Sequence, residues 1–109
     1  MPRKKTDLLQ GTLDLLVLKA LDGNPSHGYA VARTIERVTD DVLRVEEGSL
    51  YPALHRMEER GWITSYWGQS ENRRRAKFYE LTDLGRHQLS VEATEWTRYA
   101  DAIARMLNR

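Results

Sequence analysis

Three adjacent arginines, Arg73-Arg74-Arg75, with Lys77 two residues on, form the densest cluster of one charge in the chain. Guanidinium groups this close repel one another and bury nothing, so they add little stability. They suit a polyanion such as a phosphate backbone. A second set, Ser49, Tyr51, His55 and Arg56 with Pro52 among them, falls on the polar side of one helical segment. It offers hydroxyl, imidazole and guanidinium groups to phosphates or base edges, and Arg56 has the fork that reaches guanine in a bidentate fashion. Catalysis has no comparable support. His27, His55 and His87 are the three histidines, and none forms an H-E-x-x-H pair. Without cysteine there is no disulfide, thiolate metal site or cysteine nucleophile, and no Gly-rich phosphate loop or G-x-S-x-G is present. The expectation is a binding protein with no catalytic residues, no metal and no cofactor.

The whole chain has 109 residues and a net charge of +1, which looks indifferent to nucleic acid. The distribution says otherwise. Segment 71–77 carries +3 (four cations against Glu71), and segment 1–7 carries +2 (Arg3, Lys4 and Lys5 against Asp7), leaving −4 for the rest. Local patches are the useful footprint of a polyanion partner. The basic, Leu-rich start loosely resembles a signal peptide, but Gln10, Asp14 and Lys19 interrupt it, and no apolar run approaches a membrane span. The chain therefore reads as soluble, unprocessed and cytoplasmic, with no membrane partner.

These residues need elements to position them. Segment 7–22 shows two apolar stripes on a helical wheel, Leu9, Leu13, Leu16 and Ala20 on one side and Leu8, Gly11, Leu15 and Leu18 on the other. A surface helix needs one stripe, so the second predicts a partner chain. Ser26 suits the N-cap of a second helix over 27–40, with Val31, Ile35, Val38 and Val42 inward. The connector 41–47 has room for a short β-bridge. A third helix over 49–60 places Pro52 in its first turn, buries Leu50, Ala53, Leu54 and Met57, and closes at Gly61. Segments 62–68 and 77–81 read as a two-stranded hairpin with a long, basic, mobile tip. Thr82 caps a final helix, in which Leu89, Ala93, Trp96, Ala100, Ile103 and Leu107 recur at spacings of 4 and 3, a heptad seam for a second copy.

The order is helix, helix, helix, hairpin, long helix: mainly α with a two-stranded β-hairpin. That is a winged helix-turn-helix over 7–81, followed by a dimerisation helix over 82–109. In such proteins the third helix enters the major groove and the wing lies on the backbone or in the minor groove. The expected DNA-binding residues are Ser49, Tyr51, Pro52, His55, Arg56, Arg73, Arg74, Arg75 and Lys77. One feature opposes this: Glu46, Glu47, Glu58 and Glu59 flank the third helix.

The blocks His27-Gly28-Tyr29-Ala30, then Gly48-Ser49-Leu50-Tyr51-Pro52-Ala53-Leu54-His55-Arg56-Met57-Glu58, then Arg74-Arg75-Ala76-Lys77-Phe78-Tyr79-Glu80-Leu81-Thr82 resemble the signature blocks of the PadR family of bacterial transcriptional regulators. Trp62-Ile63 and Leu84-Gly85 also fit, and the resemblance runs from about Leu8 onward. It implies a homodimeric winged-helix DNA-binding protein, usually a repressor, of the short subfamily with a single C-terminal helix. Glu95-Trp96-Thr97-Arg98 and Ser65-Tyr66-Trp67-Gly68 are similar to a multidrug-responsive branch, in which paired tryptophans sandwich flat aromatic ligands. That likeness implies a small aromatic effector at Leu15, Trp96, Tyr99 and Ala100. Glu92 stands where the branch places a small pocket residue, and Tyr99 adds bulk beside Trp96; both would fill the pore. Trp96 reads equally as a dimer-core aromatic.

The residues and the resemblance point to one mechanism. A two-fold dimer, joined through Leu8, Leu15, Leu89, Ala93, Trp96, Ala100, Ile103 and Leu107, presents two third helices to half-sites of a pseudo-palindromic double-stranded operator about 34–36 Å apart. The alternative is a winged-helix interaction module without specific DNA binding, which has no need of the wing arginines. An architectural, sequence-independent binder would carry more positive charge.

Overall fold

The computed structural model describes the backbone of residues 5–109 and the side chains of residues 12–109. The elements run α1 (Lys5–Ala20), β1 (Ser26–His27), α2 (Gly28–Val38), α3 (Glu47–Glu59), β2 (Ile63–Gln69), β3 (Arg75–Leu81) and α4 (Asp83–Leu107). The strands form one antiparallel sheet in the order β1-β3-β2. The expected hairpin thus gains a third strand, in which Ser26 pairs with Tyr79 and His27 with Phe78. Two residues are too few to show a strand period in sequence. The connector before α3 forms no strand.

Ser26 is therefore a strand residue and not a cap. The N-cap of α2 is His27, whose Nδ1 accepts the Ala30 N–H at 3.2 Å. α2 also ends two residues early. Asp40 and Asp41 take left-handed φ of 50° and 63°, and their N–H groups bond the carbonyls of Arg37 and Glu36. This turn leaves Val38 and Val42 exposed, against expectation. α3 starts two residues early at Glu47, so Pro52 lies inside the helix and not in its first turn. Its end is as expected: Gly61, at φ +79°, and Trp62 donate to the carbonyls of Glu58 and Met57, which closes the helix.

The core lies between the helices and the inner sheet face. α1 contributes Leu13, Val17, Leu18 and Leu21, α2 Val31 and Ile35, α3 Leu50, Ala53, Leu54 and Met57, and the sheet Ile63, Tyr79 and Leu81. The two stripes expected on α1 are redrawn. Leu18 joins the core, whereas Leu15 stays half-buried on the far side. The side chains of Leu8, Leu9 and Gly11 lie outside the described residues.

α4 is joined to the body through Thr82 and Gly85. The Thr82 hydroxyl donates to the Gly61 carbonyl at 2.6 Å and accepts the Gly85 N–H at 3.0 Å. Gly85 is pressed so close that a Cβ there would stand 1.9 Å from the Trp62 carbonyl oxygen. Beyond this joint α4 packs on α1 and β3.

Candidate nucleic-acid interface

α3 turns Leu50, Ala53, Leu54 and Met57 inward and Gly48, Pro52, His55 and Glu59 outward. Its two flanks are held. On one, the Tyr51 ring covers Gly28, where a Cβ would come within 2.8 Å of a ring carbon. This contact joins two blocks that sequence shows only as separate motifs. The same flank carries Glu58, which accepts the Ser65 hydroxyl and pairs with Lys77 Nζ at 3.6 Å. Burial, with the nearby Glu58 and Tyr51, pushes the Tyr79 hydroxyl above its ordinary pKa. On the other flank, Arg56 meets Asp14 of α1 at 2.7 Å. The expected guanine-reading group is thus engaged within the fold. Ser49 is half-buried on that flank, and His55 is exposed with Glu59 at 3.7 Å, a surface pair of little energetic weight.

The wing is longer and its tip shorter than expected. Gly68 pairs with Ala76 and Gln69 with Arg75, so the ladder extends and only 70–74 remain as the turn. Ser70 closes it, its N–H donating to the Arg74 carbonyl at 2.8 Å and its carbonyl accepting the Arg73 N–H at 2.9 Å. Arg73 takes a left-handed φ of 59°. Arg73 and Arg74 are exposed at the tip, whereas Arg75 opens β3 with its guanidinium 4.5 Å from the Trp67 ring centre. The register puts Trp67, Gln69, Arg75 and Lys77 on one sheet face with Ser65, the face that touches Glu58 of α3. The opposite face carries a ring ladder, His27 on Phe78 at 5.5 Å and Phe78 on Tyr66 at 5.7 Å.

Three cations were missed from sequence. Arg33, Arg37 and Arg44 line an open groove of about 840 Å³ between α2 and wing residues Ser70, Glu71 and Asn72. Glu36, Asp40, Asp41 and Glu71 share it. The signal was available: Tyr29, Arg33 and Arg37 recur every four residues on the exposed side of α2.

The expected effector residues are partly brought together. Leu15, Trp96 and Tyr99 line a cavity of about 310 Å³ with Thr12, Glu92 and Glu95; Ala100 is not in its wall. Glu92 stands in that wall, and its carboxylate accepts from Gln88 at 2.9 Å. The Trp96 and Tyr99 rings lie 5.7 Å apart. Along the expected seam, Leu89 packs against the core and Ala93 is half-buried. Trp96 (45%), Ile103 (42%) and Leu107 (78%) are exposed, as is Ala100.

Among the described residues no group of His, Cys, Asp or Glu is placed to hold a metal ion, and no helix is long and apolar enough to cross a membrane. Several solved structures share this fold over nearly the whole chain. A transcriptional regulator from Clostridium thermocellum is 29% identical, with 91% of this chain and 96% of that one covered and a TM-score of 0.81. A PadR family transcription regulator from Clostridium difficile is 31% identical, with 89% and 99% covered and a TM-score of 0.75. A PadR-like transcriptional regulator from Bacillus cereus is 26% identical, with 93% and 96% covered and a TM-score of 0.79. The model of the transcriptional regulator PadR-like family matches residues 17–91, which hold α2, α3, the whole wing and the joint to α4. The helix order, the three-stranded wing and this match agree, and the chain belongs to the PadR-like family of transcriptional regulators.

Proposed function

We propose that this DNA-binding regulator acts as a homodimeric repressor on a pseudo-palindromic operator. The observation that carries the reading is the placement of Arg75 and Lys77 on the sheet face that meets α3, with Arg73 and Arg74 at the adjoining tip. A duplex against the outward face of α3 then meets the wing cations as well. Ser49, Tyr51, Pro52 and His55 face the major groove, Arg73, Arg74 and Arg75 take backbone or minor-groove positions, and Lys77 exchanges Glu58 for phosphate. Arg33, Arg37 and Arg44 add backbone contacts from α2 and the loop after it. The exposed half of α4 joins two copies, and DNA occupancy blocks transcription in the cytoplasm.

Relief comes from a small aromatic effector in the cavity beside Trp96. Its volume is at the small end of ligand sites, and Glu92 and Glu95 in its wall favour a cation. Such a ligand shifts the dimer only through different affinities for the DNA-competent and incompetent arrangements.

A gel shift against the upstream region of its own gene tests the reading. With about 6–10 phosphates contacted, binding falls by several decades between about 50 and 200 mM salt. Replacing Arg73, Arg74 and Arg75 by alanine weakens binding to every sequence alike and flattens the salt slope. No preference over random duplex at physiological salt contradicts the proposal. Trp96→Ala abolishes ligand quenching and spares DNA binding, with Trp62 and Trp67 variants as controls; quenching that survives removes the effector site.

A further inference from the structure

We propose that Asp14 is a positioning residue for sequence reading: its ion pair with Arg56 fixes the roll of α3 on the body. The inference rests on the proposed role of α3 in DNA reading. Leu50, Ala53, Leu54 and Met57 set which side of α3 turns inward, and their close packing leaves only a small residual rotation about the helix axis. Polar tethers constrain it because charge-assisted hydrogen bonds have a preferred geometry. At about 100° per residue, Tyr51 and Glu58 fall on one flank and Arg56 on the other, with Pro52, His55 and Glu59 between them. The first flank is anchored to Gly28 through Tyr51 and to Ser65 through Glu58. The second has Asp14 at 2.7 Å from Arg56 Nη2.

This pair differs from the others. The remaining ion pairs among the described residues lie within one helix or its end, or join α3 to the wing, whereas Asp14–Arg56 joins one helix to another across 42 positions of sequence. The Asp14 side chain is 17% exposed and that of Arg56 33%, so water screens the pair less than a surface pair. With side chains reaching about 5–6 Å from the axis, a roll of about 10° moves their tips by about 1 Å. That exceeds the ~0.5 Å window of a good hydrogen bond to a base edge. Long cationic side chains on the wing still reach phosphate after such a shift. Loss of the tether therefore costs discrimination and spares non-specific affinity.

The test is a double-mutant cycle with Asp14→Asn, Arg56→Gln and the pair, using a duplex selected from a random pool by the wild-type protein and a random duplex of equal length. Each single change is expected to lower the preference for the selected duplex about tenfold, with an unchanged salt slope. The double change is expected to be no worse than either single. Asp14→Glu keeps the charge and restores part of the preference, which covers the case in which Asp14→Asn fails to fold. If Arg56→Gln loses discrimination while Asp14→Asn keeps it, Arg56 reads a base itself and the proposal is wrong. Preference retained in all variants also overturns it. A wild-type protein without any preference refutes the proposed function instead. The tether is then read without DNA, from amide residual dipolar couplings of α3 relative to α1 and β3. Asp14→Asn is expected to reorient α3, and unchanged couplings contradict the inference.

Discussion

α3 and α4 both present apolar residues at helical spacing, and they finish in opposite ways. Leu50, Ala53, Leu54 and Met57 of α3 are almost wholly removed from water by this chain's own α1, α2 and sheet. On α4 only Gly85 is buried, and Trp96, Tyr99, Ile103, Met106 and Leu107 face outward. A contiguous apolar surface of this kind marks an interaction site. The difference teaches that periodicity identifies a face and says nothing about whose atoms cover it. α3 belongs to a body closed by its own contacts. α4 is proposed to be completed by a second copy.

The strongest way to break this comparison is to charge the open seam. Ile103→Asp should dissociate the proposed dimer, because burying an unpaired carboxylate costs far more than one heptad contact returns. Sedimentation should show a monomer at concentrations where the wild type is paired, and an intact dimer would count against the assignment. Next comes a matched pair of truncations. Leu54→Ala should cost about 2–5 kcal/mol at any protein concentration, since the side chain is fully enclosed. Ile103→Ala should lower the unfolding midpoint by an amount that depends on protein concentration, because its proposed cover is a second chain. Thermal unfolding over a hundredfold range of concentration separates the two.

The joint between the regions sharpens the contrast further. At Gly85 the obstacle to a side chain is the backbone carbonyl of Trp62, which has no rotamer to escape into. Gly85→Ala should cost about 3 kcal/mol, at the upper end of overpacking, and change the angle at which α4 leaves the body. Urea unfolding gives the first, and small-angle scattering of the dimer the second.

The smallest effect concerns pH, and it lies within the body. Tyr79 is buried beside Glu58 and Tyr51, and its hydroxyl has a pKa raised above the ordinary 10.0. The fold therefore favours the neutral phenol. That contribution is complete below about pH 10 and is lost as pH rises through the raised value, because the unfolded chain ionises first. In Tyr79→Phe this part of the alkaline decline should vanish, which urea midpoints on either side of about pH 10 would register.

Much of this was legible in the sequence where one physical rule acted alone. The inward face of α3, the close at Gly61 and the cap at Thr82 follow from helix period and terminus chemistry, and the structure has them as expected. β1 was hidden because two residues show no period, and its His27 then displaced Ser26 as cap. Val38 and Val42 fit the period of α2 but lie around or beyond a left-handed turn at Asp40 and Asp41, a conformation aspartate does not announce. In the candidate interface, the wing cations stood out by density. Arg56 looked like a reader by type alone, and its partner Asp14 is 42 positions away, where no local rule connects them. Arg33, Arg37 and Arg44 met the wing only through the fold.

The central claim is that a closed body reads DNA and an open helix pairs two such bodies. The most direct measurement is the mass of the complex with a pseudo-palindromic duplex selected from a random pool, by sedimentation equilibrium at physiological salt. The account predicts two chains per duplex, with Ile103→Asp losing the two-chain complex. One chain per duplex at saturation, or no duplex selected over random sequence, would contradict it.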